Sequence, residues 1–463
     1  MRHPTRRAVT AALLAAPALA ACSSGSSDAS GAGPSRSAPG PDALASAGPQ
    51  SVVLWHGLGG AAGAALTAVL DAWNAAPGTP GVTVQAVYQG NYDDVLAKYT
   101  AALRDGSTPH VLLSSDITTG FVKDAGQTVS ASALATANPG DLDLGALRPA
   151  AKNYYTVGGD LLSVPFNTSL PLLYANDALL SRAGVDPASL TTVAGLDAAA
   201  RAVAAKVPGV KGFCHPTADG WWFEQVTAAA GDLYVTPDNG RSGTGATALS
   251  LGGSAQREAL ELLTKLHVDG TALVVGTNGD AAIQAFASGQ VALMFNSSGA
   301  IGSLAKTGAT GWSTHPLPLS GPAGTSGPLI GGASLWVDGK HEPAAQVAAW
   351  KVVSHLASAA VQERFSQASG YAPVNVGVDD SPTQREFLAK NPAWAVAVEQ
   401  FDSAATSPAT AGALTGALPG IRSVVVPAMD KAYGGDETLD AALDEAAQAA
   451  GTVISDYREQ AGL

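Results

Sequence analysis

The sequence predicts an α/β protein of two lobes built on open sheets, and three observations carry that prediction. From residue 51 onward, short runs rich in Val and Leu alternate with helical stretches, which is the pattern of a parallel sheet covered by helices. The chain has 463 residues, beyond the roughly 250–300 at which a single hydrophobic core stops growing. Apolar residues make up 46% and charged ones 14%, with 53 Gly and 28 Pro, a globular composition with many turns.

The first segment is an export signal. Arg2, Arg6 and Arg7 precede an apolar run from Ala8 to Ala21 that is too short to span a bilayer. Leu19-Ala20-Ala21-Cys22 resembles the lipobox of bacterial lipoproteins, which implies that the Cys22 thiol is diacylated and becomes the mature N-terminus. Arg6-Arg7 is compatible with both the general and the twin-arginine export routes. Residues 23–50 are mostly Ser, Gly, Ala and Pro, with too little apolar surface to offset ordering entropy, and are expected to form a flexible tether to the membrane. No later apolar run is long enough to be a membrane span.

The folded part then reads in order. Ser51-Val52-Val53-Leu54-Trp55 is a strand and Gly60 to Trp73 a helix. Val82 to Tyr88 alternates as a strand, a helix follows around Tyr92 to Leu103, and His110-Val111-Leu112-Leu113 is the third strand. Ligands of such sheets bind beyond the carboxyl ends of the strands, which directs attention to the loops at Gly90-Asn91-Tyr92 and Ser114-Ser115-Asp116. Helical patterns continue over Leu196 to Val207, Ala255 to His267, Ala344 to Ala368 and Leu439 to Gln460.

A net charge of -13 argues against nucleic-acid binding, which needs a basic face. An anionic ligand would require a local positive group. With Cys22 set aside for lipidation, Cys214 has no partner for a disulfide and reads as a small buried residue. The sequence contains no nucleophile elbow, phosphate-binding loop or zinc motif, and its eight His are scattered, so neither metal nor cofactor is expected.

Seven stretches, in order and at matching spacing, resemble the periplasmic glycerol-3-phosphate-binding proteins of ABC importers, within the extracellular solute-binding family that includes the maltose-binding proteins. They are Trp55-His56 with its glycines; Tyr88-Gln89-Gly90-Asn91-Tyr92-Asp93; Pro165-Phe166-Asn167-Thr168-Ser169; Ser297-Ser298-Gly299; Ile330 to Val337; Gly370-Tyr371; and Ile421-Arg422. The resemblance covers residues 51–463. It implies a two-lobed periplasmic-binding-protein fold with hinge crossings near Ser169, near Gly331 and shortly after Tyr371. One lobe would comprise 51–168 plus 332–372, the other 169–331 plus 373–463. It further implies a monomeric, non-enzymatic receptor outside the cytoplasm that captures glycerol 3-phosphate or a glycerophosphodiester such as glycerophosphocholine and delivers it to membrane permease subunits.

The residues matching the family's ligand contacts are Tyr92, Asp116, Ser169, Ser297, Gly332, Tyr371 and Arg422, with Trp221 in the region of an aromatic wall. Arg422 presents a donor fork suited to phosphate oxygens. The hydroxyls of Tyr92, Ser169, Ser297 and Tyr371 and the Gly332 N–H are neutral donors. Asp116 stands where the family often has glutamate and suits glycerol hydroxyls rather than phosphate. Trp221 and Trp222 could face a choline ammonium, a contact of about 2 kcal/mol when desolvated. Ala218-Asp219-Gly220 departs from the family where a second, separated tryptophan can occur, which leaves monoester against diester open.

Each residue also has a plainer role. Arg422 alone reads as an ion-pair residue, Asp116 as a helix cap, the aromatics as core and Gly332 as a strand kink. A sugar receptor would share the fold without needing Arg422; a secreted hydrolase would need a metal cluster or activated nucleophile.

Overall fold

The computed structural model describes residues 37–76, 81–217, 220–276, 279–319 and 324–463; the export signal, Cys22 and the first half of the expected tether lie outside them. Two sheets organise the chain. The first runs Val82–Tyr88, Gln50–His56, Val111–Ser115, Gly331–Asp338 and Thr128–Val129, with Val164–Ser169 paired to Gly331–Asp338. The second runs Trp312–Pro316, Pro171–Asn176, Val291–Ser297 and Lys211–Cys214. Each sheet has its own core: one surrounds Leu54, Leu113, Phe166 and Trp350, the other Phe213, Trp222, Phe295 and Ile421. No helix among the described residues is long and apolar enough to cross a membrane.

Strand and helix order follow the sequence pattern closely at the N-terminal end. The expected helices from Gly60 and from Tyr92 occupy Gly60–Ala75 and Tyr92–Asp105. The latter starts at a capping box, with Asn91 Oδ1 accepting from the Asp94 N–H at 2.9 Å and the Asp94 carboxylate accepting from the Asn91 N–H at 3.0 Å. Gly90, at φ +107°, makes room for that carboxylate: a Cβ here would lie 2.2 Å from Asp94 Oδ2. Tyr92 is thereby fixed in the first turn of a helix, one short loop beyond a strand end.

Four expectations are corrected. The first sheet is mixed rather than parallel. Its first three strands are parallel, but Gly331–Asp338 runs antiparallel to its neighbours, because the chain re-enters at Gly331 opposite Ser169, the point where Val164–Ser169 leaves the sheet. Residues 37–50 of the expected tether are packed on the protein: Asp42–Ala45 is helical, Ala38 and Leu44 pack on the first core, and Asn138 Nδ2 donates to the Pro39 carbonyl at 2.9 Å. The pattern from Ala344 to Ala368 forms two helices, Pro343–Leu356 and Ala359–Ser369, broken at Ser358. The return to the second lobe at 373 comes later, since Val374 packs in the first core and Asn375 bridges to Leu147.

Candidate functional site

The chain crosses between the sheets through Leu170, which joins Ser169 of one to Pro171 of the other, and returns at Gly331. Sequence-distant side chains converge around these crossings.

From the first lobe come Tyr92, Asp116 and Tyr371. Asn167, wholly buried in the strand Val164–Ser169, donates from Nδ2 to the Tyr92 hydroxyl at 2.9 Å, and its amide acts electrostatically on the neighbouring Tyr371 hydroxyl. Loss of surrounding water raises Tyr92 well above, and Tyr371 above, the ordinary phenol range; the negative charge of Asp116 adds to both shifts. Both tyrosines are therefore neutral donors at physiological pH. Asp116 is buried directly beyond the strand Val111–Ser115, as the first residue of a short 3-10 turn whose N-cap position is Ser115 and which leads into the helix Thr119–Ala125.

The second lobe contributes Trp221, Ser297 and Arg422. A Cβ placed on Gly331 would lie 2.9 Å from Trp221 Cζ2 and 3.1 Å from Ser169 Oγ, so this indole and this hydroxyl meet across the hinge glycine. A Cβ on Gly299 would lie 3.3 Å from Tyr371 Cζ and 3.4 Å from Ser297 Oγ, which brings those two hydroxyl side chains together across the lobes. Ser297 Oγ accepts from the Gly299 N–H at 3.1 Å. Gly332 has φ +111°, and a Cβ on it would fall 1.8 Å from the Asn167 carbonyl oxygen. Its plain role as a close-packed hinge residue is therefore real, and Thr168 lies opposite it in the ladder.

Arg422, in the second turn of the helix Leu418–Gly434, donates from Nε to Glu224 Oε1 at 2.6 Å and from Nη2 to Oε2 at 3.1 Å. Glu224 is almost fully buried on the helix Trp221–Ala230. Of the paired tryptophans, Trp222 is core: it stacks on Phe295 with centroids 5.3 Å apart and rings 15° from parallel. Trp221, its neighbour on the helix, points about 100° away and is the indole that meets Ser169. Tyr154, wholly buried, ties the two sides together; burial raises its hydroxyl far above the phenol range, and Asp116 and Glu224 raise it further while Arg422 lowers it. Asp116 and the Glu224–Arg422 pair therefore share one electrostatic neighbourhood.

This arrangement offers neutral donors, one acceptor carboxylate, one guanidinium and an indole edge, drawn from both lobes. Among the described residues there is no cluster of metal-ligating side chains. The profile of the bacterial extracellular solute-binding proteins matches residues 68–396. The chain belongs to that family. Family members are transport receptors, so this receptor is the solute-binding component of an ABC importer, works outside the cytoplasm with membrane permease subunits as partners, and does no chemistry on its solute. It is similar to the sn-glycerol-3-phosphate-binding periplasmic protein of Pectobacterium atrosepticum, 27% identical over 90% of this chain and 95% of that one. The corresponding protein of Yersinia pseudotuberculosis is also 27% identical, over 88% and 93%. Among solved structures, the Mycobacterium tuberculosis protein UgpB in complex with glycerophosphocholine aligns with a TM-score of 0.74 at 22% identity, covering 89% of this chain and all of that one. The cyclic maltosyl-maltose-binding protein of Arthrobacter globiformis gives 0.71 at 22% identity, over 88% of this chain and all of that one.

Three residues of the receptor's site escaped the sequence reading. Asn167 lay inside a family-matching stretch but gave no sign that it would hold the Tyr92 hydroxyl. Tyr154 carried none. Glu224 did leave a signal: it is a carboxylate in the otherwise largely apolar run Trp221-Trp222-Phe223-Glu224-Gln225-Val226, and a buried carboxylate requires a cation.

Proposed function

We propose that this receptor captures a small glycerophosphate compound, with Tyr92, Ser169, Ser297, Tyr371 and Arg422 addressing phosphate oxygens and Asp116 accepting from glycerol hydroxyls. The observation that carries the reading is the placement of a guanidinium and a buried acceptor carboxylate around the same hydroxyl-rich crossing. Relatives named for sn-glycerol 3-phosphate support it. We also propose that the protein acts as a monomer, tethered to the membrane through an acylated Cys22. A Cys22→Ser form recovered in the medium rather than the membrane fraction supports the anchor; unchanged membrane retention refutes it.

A sugar receptor is the second reading. It is favoured by the internal neutralisation of Arg422 and matches the maltose-type ligands of several structural neighbours. Calorimetric titration of the purified protein with sn-glycerol 3-phosphate, glycerophosphocholine and maltose separates the two. Arg422→Lys keeps the charge beside Glu224 but loses the planar fork. A glycerophosphate affinity that falls at least about tenfold in this variant, with no maltose binding, is the expected result. Maltose binding unaffected by Arg422→Lys overturns the reading.

A further inference from the structure

Tyr154 is not among the family-matching contacts, yet its hydroxyl is left unaccounted for. The residue lies near the end of the helix Pro149–Tyr155, wholly buried, and among the described residues its oxygen has no hydrogen-bond partner. Buried polar groups are nearly always paired, because an unpaired one forfeits the bond it made to water. Phenylalanine would fill the same space without that cost.

Ring and backbone are both held in place. A Cβ on Gly412 would lie 2.5 Å from Tyr154 Cε2 and 3.0 Å from Leu329 Cδ1, so the ring edge fits the space that this glycine leaves beside Leu329. Arg241 stands over the ring at 5.9 Å from its centre. It donates from Nη2 to the Tyr154 carbonyl at 2.9 Å, from Nη1 to the Thr156 carbonyl at 3.0 Å and from Nε to the Gly412 carbonyl at 2.9 Å. The hydroxyl is thereby aimed in one direction. Leu329 lies just ahead of the hinge residue Gly331, and wholly buried Gln225, on the helix that carries Trp221, clasps its backbone at 2.7 and 2.9 Å. The Tyr154 ring therefore stands beside the crossing where Trp221 meets Ser169. Charge reaches its hydroxyl from Asp116 of the first lobe and from Glu224 and Arg422 of the second, whereas the Tyr155 hydroxyl responds to Asp116 and that of Tyr234 to the Glu224–Arg422 pair. Tyr154 sits where the charged groups of the two lobes meet.

We infer that Tyr154 is a further ligand-binding residue: its hydroxyl, left without a protein partner, donates to an anionic phosphate oxygen of the solute enclosed between the lobes. This rests on the glycerophosphate reading above. Phosphate oxygens only accept hydrogen bonds, and a bond from a neutral hydroxyl to a charged oxygen is stronger than one between neutral groups. No protein bond has to break for Tyr154 to make it, and the clamped ring has little freedom left to lose on binding, so the donor is preorganised. Tyr92 differs in this respect, since its hydroxyl already accepts from Asn167.

The test is Tyr154→Phe, which keeps the ring against Gly412 and Arg241 and removes only the hydroxyl. Two measurements are compared with the wild type: calorimetric titration with sn-glycerol 3-phosphate and with glycerophosphocholine, and urea denaturation of the ligand-free protein. Affinity for both compounds is expected to fall at least about tenfold. The urea midpoint without ligand should stay the same or rise, because a buried hydroxyl without a partner has been taken away. A hydroxyl with a structural role gives the opposite pattern, and a lowered midpoint in the ligand-free variant overturns the inference. Arg422-dependent binding of either compound that Tyr154→Phe leaves unaltered also overturns it, while the proposed function stands. Failure of both glycerophosphate compounds to bind the wild type overturns the function and this inference together.

Discussion

Replacing Arg422 with alanine strips the guanidinium from a carboxylate whose side chain is only 2% exposed, while Arg422 itself is 17% exposed. Removing one partner of a buried ion pair costs about 3–5 kcal/mol, because the remaining charge is left uncompensated. The partial exposure of Arg422 and the water that can reach the vacated space place this case at the lower end, about 3 kcal/mol. For a folding unit of 150–250 residues that corresponds to a fall in Tm on the order of 6–12 °C. The double variant Arg422→Ala, Glu224→Gln removes the stranded charge and should recover most of the loss, giving a coupling of roughly 2 kcal/mol in a double-mutant cycle. Urea denaturation of the wild type, both single variants and the double variant measures all four corners. A single Arg422→Ala cost below about 1 kcal/mol, or strictly additive variants, would refute the view that this pair is buried and mutually dependent. The consequence for binding studies is direct: lost binding in Arg422→Ala conflates a missing contact with a weakened second lobe, whereas Arg422→Lys leaves Glu224 paired.

Three further outcomes are expected. Gly332→Ala places a Cβ 1.8 Å from the Asn167 carbonyl at a φ of +111°, so urea titration should show a loss of about 2 kcal/mol or more; an unchanged midpoint would contradict the hinge geometry. The Tyr457 hydroxyl, on the C-terminal helix, donates to Asp124 of the first lobe at 2.8 Å, so Tyr457→Phe should shift the lobe equilibrium by about 1 kcal/mol, read as a changed interlobe distance distribution with fluorophores on each lobe, and an unchanged distribution would deny the bridge. His267, buried with its Nε2 3.3 Å from His215 Nδ1, has its pKa lowered from 6.5 to about 4 by burial. The unfolded chain then takes up a proton that the native state refuses, so this stability is complete above about pH 6.5 and is lost as pH falls toward about 4, by up to roughly 3 kcal/mol. His267→Gln should flatten the fall in Tm over that window, and an unaltered slope would show that His267 is not its source.

The strand from Val82 to Tyr88 and the helix from Tyr92 were legible in the sequence because their side chains alternate with the periods of the elements they form, and because Gly90-Asn91 marks the turn and cap between them. Placing Asp116 beyond a strand end followed from the same local logic. The family-matching residues Tyr92, Asp116, Ser169, Trp221, Ser297, Tyr371 and Arg422 were likewise named from sequence, and the fold brings them to the crossings between the sheets. Local pattern failed where the partner was distant. Nothing near Trp222 in sequence reports that Phe295 will stack on it, and nothing near residue 331 reports that its strand will re-enter the first sheet antiparallel, opposite Ser169.

The sequence by itself therefore determined an α/β fold and the chemical types of side chain offered to a ligand, since periodicity, capping and residue chemistry are local properties, while the receptor role was implied by the family resemblance. Only the tertiary structure decided that Asn167 holds the Tyr92 hydroxyl and that Glu224 faces Arg422 across 198 positions of chain. Charge balance at a buried site depends on which groups meet through space, where low dielectric magnifies each pairing, and that is a property of the folded chain alone.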